Sequence, residues 1–130
     1  MGSEIKIIGG IIITPLLNAK KAFDIALKAE KTELNRDASI QRFEFTFELC
    51  WKTLKRILHY KGTTVNSPRD VIREAAAQDL ISDPVLWFGF LEDRSRTVHT
   101  YNEKIADQIY HDLPKFQAEL DKLIPKLLAL

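Results

Sequence analysis

The sequence predicts an all-α domain, an antiparallel up-and-down bundle of four to five helices. Three observations carry that prediction. Apolar residues return at three- and four-residue steps through most of the chain, the spacing of one helix face. A capping residue precedes a proline at Thr14-Pro15, Ser67-Pro68 and Asp83-Pro84, the pattern of a helix start. No strong hairpin signal, internal repeat or low-complexity tract competes with these.

The first helix starts at Thr14, with Pro15 at its first position, and runs to about residue 33 behind Leu16, Leu17, Phe23, Ala26 and Leu27. Residues 35–39 read as a polar break. The second helix has the clearest period: Ile40, Phe43, Phe47, Cys50, Trp51, Leu54, Ile57 and Leu58 share one face. Its opposite face carries Arg42, Glu48, Lys52, Lys55 and Arg56, and Gly62 closes it. A loop over 63–66 leads to a third, shorter helix capped by Ser67, with Val71, Ile72, Ala75, Ala76 and Leu80 inward. Ser82-Asp83-Pro84 starts a fourth, rich in Trp87, Phe88, Phe90 and Leu91. Thr100 and Glu103 have the spacing of a capping box that opens a fifth helix. Pro114 is expected to kink or break it, while Phe116, Leu120, Leu123, Ile124 and Leu127 carry the stripe to the end.

Bulk properties narrow the function classes. At 130 residues the chain reads as one domain, residues 14–130, long enough to bury a core unaided. The net charge of +1 gives no overall basic field, so any RNA or nucleotide site must be a local patch. Cys50 stands alone, which excludes an internal disulfide and a cysteine-rich zinc site and fits a reducing cytoplasm. No apolar run approaches the roughly 20 residues of a membrane span, and no cofactor or metal is expected. Residues 1–13 read as a loosely docked tail, with Met1-Gly2-Ser3 as a cloning remnant. The isoleucines around Gly9-Gly10 also allow a short β segment that pairs with a copy or a partner. They are too short and broken for a signal peptide.

Chemistry concentrates in Arg94-Ser-Arg-Thr-Val-His99-Thr-Tyr101-Asn-Glu103. Arg94 offers a bidentate fork for phosphate oxygens. His99 is a side chain that moves protons near neutral pH. Tyr101 offers a phenolic hydroxyl. Arg94 and His99 would sit about 140° apart on an unbroken helix, so they share a cleft only if the helix breaks before His99. The helix start after Thr100 then adds free N–H groups that favour a phosphate, and Ser95, Arg96 and Lys104 widen the patch. Plainer readings compete at each position. Arg94 follows Glu92 and Asp93 and can make a surface pair, His99 can bond a carbonyl, and Tyr101 can be a rim residue. As spacing alone, Arg-x4-His-x-Tyr is a weak motif.

Four separated blocks raise its standing: Arg42 to Lys55, Ser67-Pro68-Arg69, Trp87, and Asp93-Arg94 with His99 to Glu103. In content and order the chain resembles the HEPN superfamily, and within it the nucleotidyltransferase substrate-binding proteins. The resemblance implies a helical-bundle homodimer that partners a minimal nucleotidyltransferase encoded nearby, with a nucleotide or RNA phosphate at the dimer cleft. It also implies an alternative, a metal-independent endoribonuclease toxin. There Arg94 and His99 are catalytic, and the partner silences the enzyme by adenylylating Tyr101. The chain departs from the pattern at Ser95, where the family often has Asn. The shorter side chain bears on ribonuclease activity more than on the fold.

Overall fold

The computed structural model describes residues 3–130 and is an antiparallel bundle of five helices. They are α1 (Thr14–Lys28), α2 (Glu33–Tyr60), α3 (Pro68–Ala77), α4 (Pro84–Arg96) and α5 (Glu103–Leu128). The long α2 packs against all four others, so its apolar stripe organises the core. Phe43, Phe47, Cys50, Leu54, Ile57 and Leu58 are fully buried, as the period predicts. Phe116 of α5 sits at the centre, its ring 5.1–5.9 Å from those of Phe23, Phe43, Phe47, Trp87 and Phe90. Most of these contacts are edge-on, the arrangement that ring quadrupoles favour. The Trp87 indole donates to buried Glu119 at 3.2 Å, so the core's largest side chain leaves no unpaired N–H.

Several boundaries differ from expectation, each for a physical reason. The first helix ends at Lys28, and the break falls at 29–32 instead of 35–39. Thr32 caps α2 through the Asn35 N–H at 3.0 Å, and the polar stretch becomes its first turns. That stretch is held by long-range partners. The Arg36 guanidinium is 5% exposed and reaches Glu103 at 2.6 Å and Asp107 at 3.2 Å on α5, as well as neighbouring Asp37. These bonds, with Glu103 foremost, raise the Arg36 pKa, and the same contact lowers that of Glu103. Arg36→Met, which keeps the stem and drops the charge, is expected to lower the melting temperature by a few degrees, less so in high salt. An unchanged melt would remove Arg36 as a tie between α2 and α5.

The fifth helix is capped by Asn102 instead of Thr100. The Asn102 Oδ1 accepts the N–H groups of Lys104 at 3.0 Å and Ile105 at 3.2 Å. Glu103 turns to Arg36 instead of closing a capping box. Pro114 does not break α5, which runs on past it and past Pro125. Both prolines lie on the exposed face, where water can take up the carbonyls that lack an N–H partner.

Thr14 does not cap α1; its hydroxyl accepts the Ile5 N–H at 2.7 Å. This contact belongs to a small closed structure at the N-terminus. Residues 5–13 fold back on themselves, with Ile13 N–H to Ile5 O at 2.9 Å and Ile7 N–H to Ile11 O at 2.8 Å. Gly9 and Gly10 make the turn at φ +70° and +73°, a region that side-chain-bearing residues avoid. The fold-back buries Ile7 and Ile13 in the core, so the segment docks through isoleucines. Met1 and Gly2, part of the stretch read as a cloning remnant, lie outside the described residues.

Candidate functional site

The motif lies where α4 meets α5. α4 ends at Arg96, a short 3-10 turn spans Thr97–His99, and α5 opens at Glu103. The expected break before His99 is therefore present. Asp83 starts α4 by accepting the N–H groups of Val85 and Leu86, and buried Trp87 and Phe90 set its face. This phase turns Asp93 inward and Arg94 toward α2.

The turn brings His99 and Tyr101 together. The Tyr101 hydroxyl lies 3.3 Å from His99 Nδ1, with the rings edge-on at 5.9 Å. Tyr101 is 81% exposed and His99 is also exposed, so both groups are open to a partner. Beside them Val98 projects an apolar side chain, 67% exposed.

Arg94 is held elsewhere. Its Nε is buried and faces Glu48 Oε1 at 3.1 Å, an ion pair without the alignment of a hydrogen bond. One terminal nitrogen lies 3.6 Å from Glu44 Oε1, and the other donates to Thr97 Oγ1 at 3.4 Å. Arg94 and His99 share no hydrogen bond among the described residues; Arg94 bonds Thr97 instead. A phosphate at Arg94 would therefore compete with two carboxylates.

The remaining phosphate candidates separate. The Ser95 hydroxyl donates to the Glu92 carbonyl at 2.7 Å and lines a different cleft, beside Arg69 and Phe88. Arg96 bonds the Gln108 side chain, and with Lys104 it lines an open cleft of about 710 Å³. Asp107 and Asp112 line the same cleft, so its charge is nearly balanced. The N–H groups expected to bind phosphate at the start of α5 are already taken by Asn102.

Local sequence signals did not reveal what organises the site. Glu48 reads as the partner of Lys52, and that contact exists at 3.8 Å. Glu48 also accepts the Trp51 indole N–H at 2.9 Å and faces Arg94, so one carboxylate joins α2 to the motif. Arg42 donates to the Ala22 carbonyl at 2.7 Å and ties α1 to α2. Asp93 is 4% exposed and packs against Asp112 and Arg96. Burial first, then the hydrogen bond to the Asp112 carboxyl, pushes its pKa up to about 8.

The sign for stability follows. The folded state binds this proton more tightly than the unfolded chain, so stability falls as pH rises from about 4 to about 8 and then levels off. Asp93→Asn keeps the hydrogen-bonding shape without the charge. It is expected to flatten that fall and to be more stable than the parent at pH 8.5. Parallel thermal melts at pH 5 and 8.5 check this; identical pH slopes would exclude Asp93 as the cause.

Comparison with known proteins agrees with this architecture. Residues 14–129 match the family model described as nucleotidyltransferase substrate binding protein like. The probable ribonuclease HepT of Haemophilus influenzae is 32% identical over 94 residues, covering 68% of this chain. The match spans 64% of that relative's own length. A crystal structure from Thermus thermophilus superposes with a TM-score of 0.81 at 37% identity, over 86% of this chain and 98% of that one. A Haemophilus influenzae structure, described as the fold of a substrate-binding domain of a nucleotidyltransferase, gives 0.80 at 25% identity, over 88% and 98%. No helix among the described residues is long and apolar enough to cross a membrane.

Proposed function

The chain belongs to the nucleotidyltransferase substrate-binding-like family, and from that premise we propose that it is the HEPN-type partner subunit of a minimal nucleotidyltransferase, to which it presents Tyr101. The exposed Tyr101 hydroxyl, 3.3 Å from His99 Nδ1 at the tip of a short turn, carries this reading. It is an acceptor with a base beside it, placed where a second protein can reach it. In the transfer, Tyr101 Oη attacks the α-phosphorus of a nucleoside triphosphate held by the partner. The Oη–P bond forms, the bond to pyrophosphate breaks, and His99 takes the phenolic proton. Pairing of Arg94 with Glu44 and Glu48 suits a positioning role in this reaction.

The working form is a homodimer in the cytoplasm, with the motif facing the cleft and a nucleotide or RNA phosphate bound there. Exposed Val98 near the motif and Phe45 on α2 offer apolar surface for such an interface, and the lone thiol Cys50 is buried.

A second reading is favoured by the similarity to a probable ribonuclease and by the exposed imidazole of His99. In a two-fold dimer, one His99 takes the 2′-OH proton of RNA while the other protonates the leaving 5′-oxygen, and Arg94 stabilises the charge between them. Adenylylation of Tyr101 then blocks the cleft, as in a toxin and its antitoxin. Ser95 and the ion-paired state of Arg94 weigh against this reading.

The test mixes the purified chain with the nucleotidyltransferase encoded beside it and an α-labelled nucleoside triphosphate, with and without RNA. Label on this chain supports the proposal. Label confined to RNA, or an unlabelled chain within a stable complex, overturns it.

A further inference from the structure

A groove of about 720 Å³ lies along the C-terminal half of α2, under the N-terminal fold-back. Trp51 and Tyr60 supply its aromatic wall, Lys55 and Arg56 its cations, His59 an imidazole, and Gly9 its lip. We propose that this groove binds a nucleotide unit, its base against Trp51 or Tyr60 and its phosphate on Lys55 and Arg56.

The charge pattern is selective. Among the described residues no carboxylate lines this groove, whereas the clefts around Arg96, Ser95, Glu119 and Asp93 each contain at least one. Lys52 is drawn to Glu48 at 3.8 Å. Lys55, Arg56 and His59 have no carboxylate within ion-pair distance among the described residues. The helix dipole favours a basic residue in the last turn, where His59 sits, but does not account for Lys55 and Arg56 before it.

The aromatic wall is built and held. The Trp51 indole N–H is fixed on Glu48 at 2.9 Å, which leaves the ring half-buried in a set orientation. Tyr60 is clamped by the fold-back: a Cβ on Gly9 would lie 2.5 Å from its ring, so only glycine allows so close an approach. Cations beside fixed, partly exposed aromatic rings suit a ligand with a planar base and a phosphate. Through Glu48, which also faces Arg94, the groove connects to the motif. The inference goes beyond the reading of Tyr101 and stands on different residues, so loss of transfer to Tyr101 leaves it intact.

The ligand can be a free nucleotide or one nucleotide of single-stranded RNA, and the experiment separates them. Trp87 is 1% exposed, so a change in tryptophan fluorescence on binding reports Trp51. The folded protein is titrated with AMP, with a short single-stranded oligoribonucleotide and with inorganic phosphate. Binding of labelled AMP and labelled RNA is followed in parallel by anisotropy. Quenching by AMP identifies a mononucleotide site, and quenching by RNA alone identifies a strand-binding site; both support the proposal. Lys55→Glu with Arg56→Glu is expected to weaken binding about tenfold and, for RNA, to lower the salt slope by about 1.4. Trp51→Phe should remove the quench, and Lys21→Glu, at an exposed position on α1 that lines none of these clefts, should change neither. Quenching by phosphate alone, unaltered affinity in the double variant, an equal loss with Lys21→Glu, or no binding of either nucleotide ligand overturns the proposal.

Discussion

His99→Ala is expected to slow nucleotidyl transfer to this chain by about 10²- to 10⁴-fold, the range for losing a positioned general base. The imidazole lies 3.3 Å from the Tyr101 hydroxyl, and no other side chain forms a hydrogen bond with that hydroxyl among the described residues. His99 is exposed, so the substitution should leave the fold intact, and matching thermal melts will separate chemistry from stability. Initial rates with saturating partner and nucleotide give the comparison. Unchanged transfer would remove His99 as the base. Applied to RNA in EDTA, the same variant distinguishes the second reading. Cleavage by the parent alone would make His99 part of a ribonuclease; no cleavage by either folded protein would favour the binding subunit.

Phe116→Ala is expected to be the most damaging single change to stability, at about 3–5 kcal/mol. Five aromatic rings from α1, α2 and α4 surround this residue, and none can fill the space without leaving another contact. Equilibrium unfolding in urea measures the loss. Phe116→Leu, which restores most of the volume, should recover more than half of it. A loss below about 1 kcal/mol for the alanine variant would mean that the core repacks and that Phe116 is not its centre.

These two residues also mark how far local reasoning reaches. Phe116 is legible because its spacing to Leu120, Leu123 and Leu127 is a helical stripe, and burial follows from the period. The starts of α3 and α4 are legible for the same kind of reason: Ser67 and Asp83 cap helices whose first residue is proline. What failed depends on residues distant in sequence. Arg36 looks like part of a polar break until Glu103 and Asp107, 67 and 71 positions away, come alongside it. Pro114 looks like a helix breaker until the fold turns it to solvent. Thr100 and Asn102 compete to cap α5, and choosing between them requires knowing that Glu103 is engaged by Arg36.

The candidate site divides along the same line. The break between the two helices is legible in the sequence, where it is expected to bring His99 to Arg94; the contact it makes between His99 and Tyr101 emerges only in the structure. The ion pairs that hold Arg94 are not legible there, because Glu44 and Glu48 sit on another helix. The scattering of Ser95, Arg96 and Lys104 over two clefts follows from helical phase on α4 and from the start of α5. Arg96 and Lys104 thus share one cleft, while Ser95 lines another.

The central claim is that Tyr101 is the group this protein offers to its partner. It is tested most directly by tandem mass spectrometry of the chain purified in complex with its nucleotidyltransferase. The account predicts a nucleotidyl group on the peptide that carries Tyr101, located on that side chain, and none on the Tyr101→Phe variant. Addition at Tyr60, at Tyr110 or at a serine or threonine, or the same addition in Tyr101→Phe, would contradict it.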